Sequence, residues 1–265
     1  MTGRRQQKGF TLVELAIVIT IIGLLIGGIL KGQQLMQNAR VTATVAKIKA
    51  IEVATLMFQD SYGFKPGDFD GTGKIPGCGA TMCVSTTATS AATNDGKIGA
   101  TNWGLVTPQA APTITAGSET YLFWYYLAAT NMLSGMSNTT AVAATGSVPA
   151  FGKDFPATNF GGGFLVGNSD GATAGLRGGT SYFVSGTVLA LVVSPAAAIG
   201  TAANSHLLTP ALAAQLDRKL DDGESTAGIV QAQGSGALSA GCITGSGYAS
   251  SDKDKNCSLI VRIED

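Results

Sequence analysis

Residues 1–30 read MTGRRQQKGFTLVELAIVITIIGLLIGGIL, and this stretch decides the architecture. Arg4, Arg5 and Lys8 put three positive charges and no acid into the first nine residues. Phe10 to Leu30 then supplies 21 residues in which Glu14 is the only ionisable side chain. As a helix that run is about 31 Å long, close to the ~30 Å hydrocarbon thickness of a bilayer. The basic start, and the 14 basic and 17 acidic side chains that follow it, orient the N-terminus to the cytoplasm and the rest outside. A secretory signal peptide shares the basic head and apolar run. Here, however, the run is long and continues into Lys31-Gly32-Gln33-Gln34 with no small-x-small cleavage site. A plain single-span anchor accounts for the hydrophobicity but not for Glu14, because a carboxylate in the apolar core of a bilayer costs roughly 2.5–3.5 kcal/mol.

The stretch Lys8-Gly9-Phe10-Thr11-Leu12-Val13-Glu14-Leu15 resembles the precursor signature of type IV pilins and of the pseudopilins of type II secretion systems. The resemblance implies cleavage after Gly9, N-methylation of the new N-terminal Phe10, and an assembly role for Glu14, the fifth mature residue. It covers residues 1 to about 35 closely and extends more loosely through Tyr62-Gly63-Phe64-Lys65-Pro66-Gly67-Asp68. Thr209-Pro210 through Asp221-Asp222-Gly223 is similar to the same branch. One departure is Lys31, which stands where many major pilins carry proline; Gly23, Gly27, Gly28 and Gly32 are expected to loosen the helix there instead. The resemblance also implies partners: a prepilin peptidase, other pilin or pseudopilin subunits, a membrane assembly platform with its ATPase, and membrane lipid before assembly. Such a subunit sits in the inner membrane by one span, with its globular part in the periplasm, and then in a pilus or pseudopilus.

The helix continues beyond the apolar run. No proline occurs from Lys31 to Ser61, and Val41, Val45, Ile48 and Ile51 recur at helical spacing, with Leu56 and Phe58 extending the stripe. Glu52 interrupts it. A helix over residues 10–61 is about 78 Å long, a length suited to a filament core packed from parallel helices. Tyr62-Gly63 and Pro66-Gly67 end it. The organisation expected is a leader at 1–9, a transmembrane or filament-core helix at 10–30, an amphipathic extension at 31–62, and an exported globular domain at 63–265.

Within that domain, Gly77 to Ser118 and Gly135 to Thr180 read as loops with weak strands, being rich in Thr, Ala, Gly and Ser. Tyr121 to Leu133, opened by Ser118 and closed by Gly135, reads as a helix whose aromatics pack in the core. Ser181–Ser185 and Thr187–Ser194 read as a hairpin or bulged strand pair about Gly186. Thr209 caps a helix with Pro210 at its first position and Leu212, Leu216 and Leu220 along one face. Cys257 to Ile263 reads as a terminal strand. The fold class is α+β, a pilin-like long N-terminal helix packed against a small antiparallel sheet.

The spacings of 5 and 15 residues favour disulfides Cys78–Cys83 and Cys242–Cys257, since an exported domain is oxidised. A four-thiolate zinc site fits those spacings poorly. Asp68 and Asp70 are weak calcium candidates, because Gly79 falls where the bidentate acid of a calcium loop belongs. Asp221-Asp222-Gly223 most simply ends a helix. No other cofactor is expected. Over all 265 residues, 17 basic and 17 acidic side chains give no net charge and no electrostatic reason to expect a nucleic-acid partner. His206 is the only histidine, which excludes a multi-histidine metal site. No nucleophile elbow or phosphate-binding glycine loop is present, so the chain is read as a non-enzyme. The alternative is an anchored exported binding protein or hydrolase that does not assemble.

Overall fold

The computed structural model describes residues 11–78, 94–99, 118–136, 150–169, 184–194, 206–234 and 241–264. The chain divides into two compact units, one ending at Arg40 and the other running from Val41 to Asp265. Helix α1, Leu12–Tyr62, contributes 51 residues across the two. In the first unit every described side chain of α1 is exposed, including Leu12 at 86% and Leu24 at 78%. Gly23, Gly27, Gly28 and Gly32 lie within this continuous helix, and a Cβ added to any of them would meet nothing within 4 Å. Packing among the described residues therefore does not require them.

In the second unit α1 buries Val41, Thr44, Ile48, Ile51, Ala54, Thr55 and Phe58, a stripe at helical spacing. Burying the large apolar members is worth about 1.5–3 kcal/mol each. The exposed Lys49–Glu52 pair at 2.8 Å adds at most about 0.5 kcal/mol, so packing and not charge seats this part of the helix. Leu56 departs from the expected stripe. It is half-exposed on the opposite side, because its neighbours Thr55 and Phe58 take the inward positions. Gly63 ends the helix with φ +78°, its N–H bonded to Gln59 O at 2.8 Å.

Four strands form an antiparallel sheet in the order β1 (Gly163–Ser169), β2 (Gly186–Val192), β6 (Ser258–Glu264), β3 (Val230–Gln233). Strand β6, last along the chain, lies between β2 and β3. Between β2 and β6 the register shifts at Thr187/Val188, so the irregularity expected at Gly186 is a bulge beside the first residue of β2. The partner of β2 is β1, not the run before Gly186: Val184 and Ser185 are not strand, and residues 181–183 lie outside the described residues. Strand β1 falls in a segment expected to be mostly loop. Its glycine is required there, since a Cβ on Gly163 would lie 2.1 Å from the Phe151 ring.

Helix α2, Glu119–Ala129, is buried on nearly every side, which explains a sequence that is apolar all round. Phe123, Trp124 and Tyr126 are fully enclosed, and Tyr126 joins Phe58 and Phe69 in an aromatic cluster with centroids 5.3–6.1 Å apart. These rings are core, as expected. The helix stops four residues before Leu133, because Asn131 takes a left-handed φ of +56°. The N–H groups of Asn131 and Met132 then close back on Ala128 O and Leu127 O. Helix α3, Pro210–Leu220, has Thr209 as its cap, with Leu212 N–H bonded to Thr209 Oγ1 at 3.4 Å. It packs against β3 and against β5 (Gly247–Tyr248), which pairs with β4 (Ile243–Thr244). A disulfide between Cys242 and Cys257 encloses that hairpin.

Candidate functional site

The first turn of α1 holds the acid singled out by the sequence. Thr11 precedes the helix, and its carbonyl accepts the first helical bond from Leu15 N–H at 3.2 Å. Glu14 Oε2 accepts from the Thr11 backbone N–H at 3.0 Å and from the Thr11 hydroxyl at 2.7 Å. Thr11 Oγ1 in turn accepts from Glu14 N–H at 3.3 Å. This is a reciprocal capping box, Thr-x-x-Glu, which satisfies helix N–H groups that otherwise lack partners. It also sets a negative charge on the positive end of the helix dipole. Gly9 and Phe10 lie outside the described residues.

Behind that turn, α1 is the one helix among the described residues that is long and apolar enough to cross a membrane, and none of its apolar window is buried. Such a surface needs a lipid or protein environment. The N-terminal segment therefore offers an apolar rod and one oriented carboxylate.

The remaining sequence candidates belong to the second unit. Asp68 is buried, and its carboxylate accepts N–H bonds from Asn94 (2.9 Å), Asp95 (3.2 Å) and Gly96 (2.8 Å). Burial raises its pKa against the pull of those amides. Asp70 is exposed and caps its own turn through Thr72 N–H at 2.9 Å. Asp68 thus fastens the segment 94–99. The three carboxylates that do converge are Asp217, Asp221 and Asp222, with oxygens within 4.8 Å of one another. Asp217 is buried, accepts from Tyr248 OH at 2.7 Å, and is pushed up to about 6 by burial, with Asp222 and Asp221 adding to the effect. Asp221 is turned to the N–H groups of Ile229 and Val230. Cys78 is disulfide-bonded, while Cys83 lies outside the described residues.

Two further buried groups titrate unusually. Glu119 opens α2 fully buried, with Oε2 accepting from Gly99 N–H at 2.6 Å and Oε1 without a partner among the described residues. Burial pushes its carboxyl up to about 7, and the charges of Asp68 and Asp95 act in the same direction. His206 is buried with Nδ1 3.0 Å from Ser258 Oγ, and burial pushes it down to about 4, so the ring is neutral at physiological pH. Among the described residues its hydrogen-bond partner is Ser258 and no acid orients the ring.

Three participants were missed in the sequence. Thr11 had a legible signal in Thr-x-x-Glu. Asp217 precedes the Asp221-Asp222 pair by one helical turn, a spacing visible once the helix is drawn. Glu119 had none, since an acid opening a helix is ordinary and only its burial is not.

Residues 4–30 match the family model for the prokaryotic N-terminal methylation motif, the signature of type IV pilins and pseudopilins. No curated protein and no solved structure matches the chain. The motif supports a type IV pilin-like or pseudopilin prepilin substrate, and its apolar helix fits membrane anchoring.

Proposed function

We propose that the chain is the precursor of a structural subunit of a type IV pilus-like or type II secretion pseudopilus-like filament. The observation that carries this is the methylation motif at residues 4–30, which leads into a helix whose described side chains are all exposed as far as Arg40. A prepilin peptidase cleaves between Gly9 and Phe10 on the cytoplasmic side and leaves Phe10 for methylation. Until cleavage, Glu14 gives the apolar run a charge of −1; the new ammonium of Phe10 cancels it. An assembly platform and its ATPase then move the helix from lipid into a bundle of like helices. Little hydrophobic free energy separates those two environments, so the choice between them falls to polar contacts and packing. Glu14 supplies the polar contact by meeting the Phe10 amine of the same or a neighbouring subunit, where an unpaired charge is costly. The function is assembly and not catalysis. Calcium at Asp68 and Asp70 stays a minor proposal, checked by whether calcium raises the melting temperature.

The test is mass spectrometry of the mature N-terminus, joined to localisation of the chain in sheared filaments or the cell envelope. A chain beginning at an N-methylated Phe10 and recovered in a filament fraction is the expected result. A chain that keeps residues 1–9, or one that is cleaved but always monomeric in the membrane, would refute the reading.

A further inference from the structure

We infer that the buried polar groups of His206, Gln233, Gln231 and Ser258 enclose ordered water where β3, β6 and the segment 206–208 meet. Gln233 and Ser258 are direct partners across the β3–β6 ladder, so their side chains leave the same face of the sheet. Gln231, two residues along β3, shares that face. His206 reaches it from the neighbouring segment, with Nδ1 3.0 Å from Ser258 Oγ. Two residues on, Leu208 exchanges backbone hydrogen bonds with Cys257 at 2.9 and 3.0 Å. All four residues are more than nine-tenths buried, His206 and Gln233 being only 1% exposed.

Hydrogen bonds do not match this burial. His206 Nε2, both polar atoms of the Gln233 amide and Gln231 Oε1 have no partner among the described residues. The backbone of β6 cannot supply one, because its two sides are taken by the ladders to β2 and β3. Polar atoms left unpaired in a protein interior are costly, and buried water commonly relieves them, making about three hydrogen bonds to such groups. The chemistry of the lining selects water over an ion. Burial pushes His206 down to about 4, so its ring is neutral. No residue of β3 is charged, and Ile260 stands between Ser258 and Arg262 on this face. The Gln233 amide offers donors and an acceptor, whereas Gln231 Oε1 only accepts. Water serves both senses, and an ion serves one.

The full-length oxidised chain in non-ionic detergent gives the test. Its crystal structure should show a water oxygen about 2.7–3.2 Å from His206 Nε2 and from an amide atom of Gln233. An empty space, a molecule other than water or a protein group in that position overturns the inference. Urea unfolding of Gln233→Met, His206→Leu and the double variant reads the same bridge in solution, since both substitutions stay close to the native volume. His206 Nε2 and the Gln233 amide make no direct hydrogen bond to each other. With water between them, each single variant should lower the urea midpoint, and the double variant should lower it by clearly less than the sum of the two. In a dry site Gln233→Met would instead remove unpaired polar atoms and raise the midpoint. A raised midpoint for Gln233→Met, or strictly additive shifts, overturns the inference. If His206→Leu does not fold, Gln233→Met and the crystal structure still decide.

Discussion

Replacing Glu119 by glutamine should flatten the dependence of folding stability on pH. The carboxyl is fully buried at the start of α2, and burial raises its pKa from 4.5 to about 7 in the fold. A group whose pKa is raised on folding stabilises most below its unfolded value and loses that contribution as pH climbs through the folded value. For Glu119 the stabilisation is present near pH 4.5 and gone above about pH 7. Linkage over that shift gives a loss of about 2.5 kcal/mol between about pH 5 and about pH 8.5. Glutamine cannot ionise, so this loss should vanish. Its carbonyl can still accept from Gly99 N–H, but its amide enters a position where Oε1 has no partner. That costs about 1–3 kcal/mol at every pH. The two curves should therefore approach each other, or cross, as pH rises. The assay is urea unfolding of the oxidised full-length chain in non-ionic detergent, followed by tryptophan fluorescence. Asp217, pushed up to about 6, contributes a slope of its own in both proteins, and taking the difference removes it. Parallel wild-type and Glu119→Gln curves across this range would refute the claim that Glu119 is buried as a titrating acid.

Gly9→Val should leave the uncut precursor in the membrane, seen as a mass larger by the first nine residues; normal processing would remove the proposed cleavage site. Glu14→Ala should insert and be cleaved as well as wild type, yet be sharply depleted from sheared filaments, and equal recovery would show that Glu14 is not the docking group. The Cys242→Ser/Cys257→Ser variant opens a loop with a sequence separation of 15 and should lose about 3 kcal/mol of stability to denaturant. Peptide maps of the oxidised chain should join Cys78 to Cys83, and a free thiol or bound zinc at those positions would overturn that pairing.

The elements legible in the sequence are those whose local signals agree with their packing. Helix α1 has a long proline-free apolar periodicity, broken only at Glu52 and Leu56, and a glycine stop; α3 has Thr209-Pro210, and β6 has an aliphatic run. Strand β1 was hidden because its glycines, Gly163 and Gly167, usually weaken a strand, and only the fold shows that Gly163 sits where the Phe151 ring comes close. Strands β4 and β5, two residues each, carry too little pattern to be read at all. The candidate site divides in the same way. Glu14 was conspicuous as a charge in an apolar run, whereas its partner Thr11 was overlooked because threonine attracts no notice there. Burial made Glu119 and Asp217 unusual, and burial is a property of the assembled core that no window of sequence contains.

The place of β6 in the sheet sets the order in which this domain can form. Strands β1 and β2 can pair once residues up to Val192 are available, whereas β3 has β6 as its ladder partner among the described residues. Cys242 likewise waits for Cys257, and Gln59 near the end of α1 waits for Glu264. The Gln59–Glu264 contact joins residues 205 apart along the chain, and such a closure comes late in folding because loop entropy opposes it. For a chain delivered from its N-terminus, the apolar helix is thus in place long before the domain behind it can lock. The interval leaves β2 with an open edge, available to a neighbouring chain in the same state. The seven-residue strand β6 is therefore what closes the sheet, by joining β2 to β3.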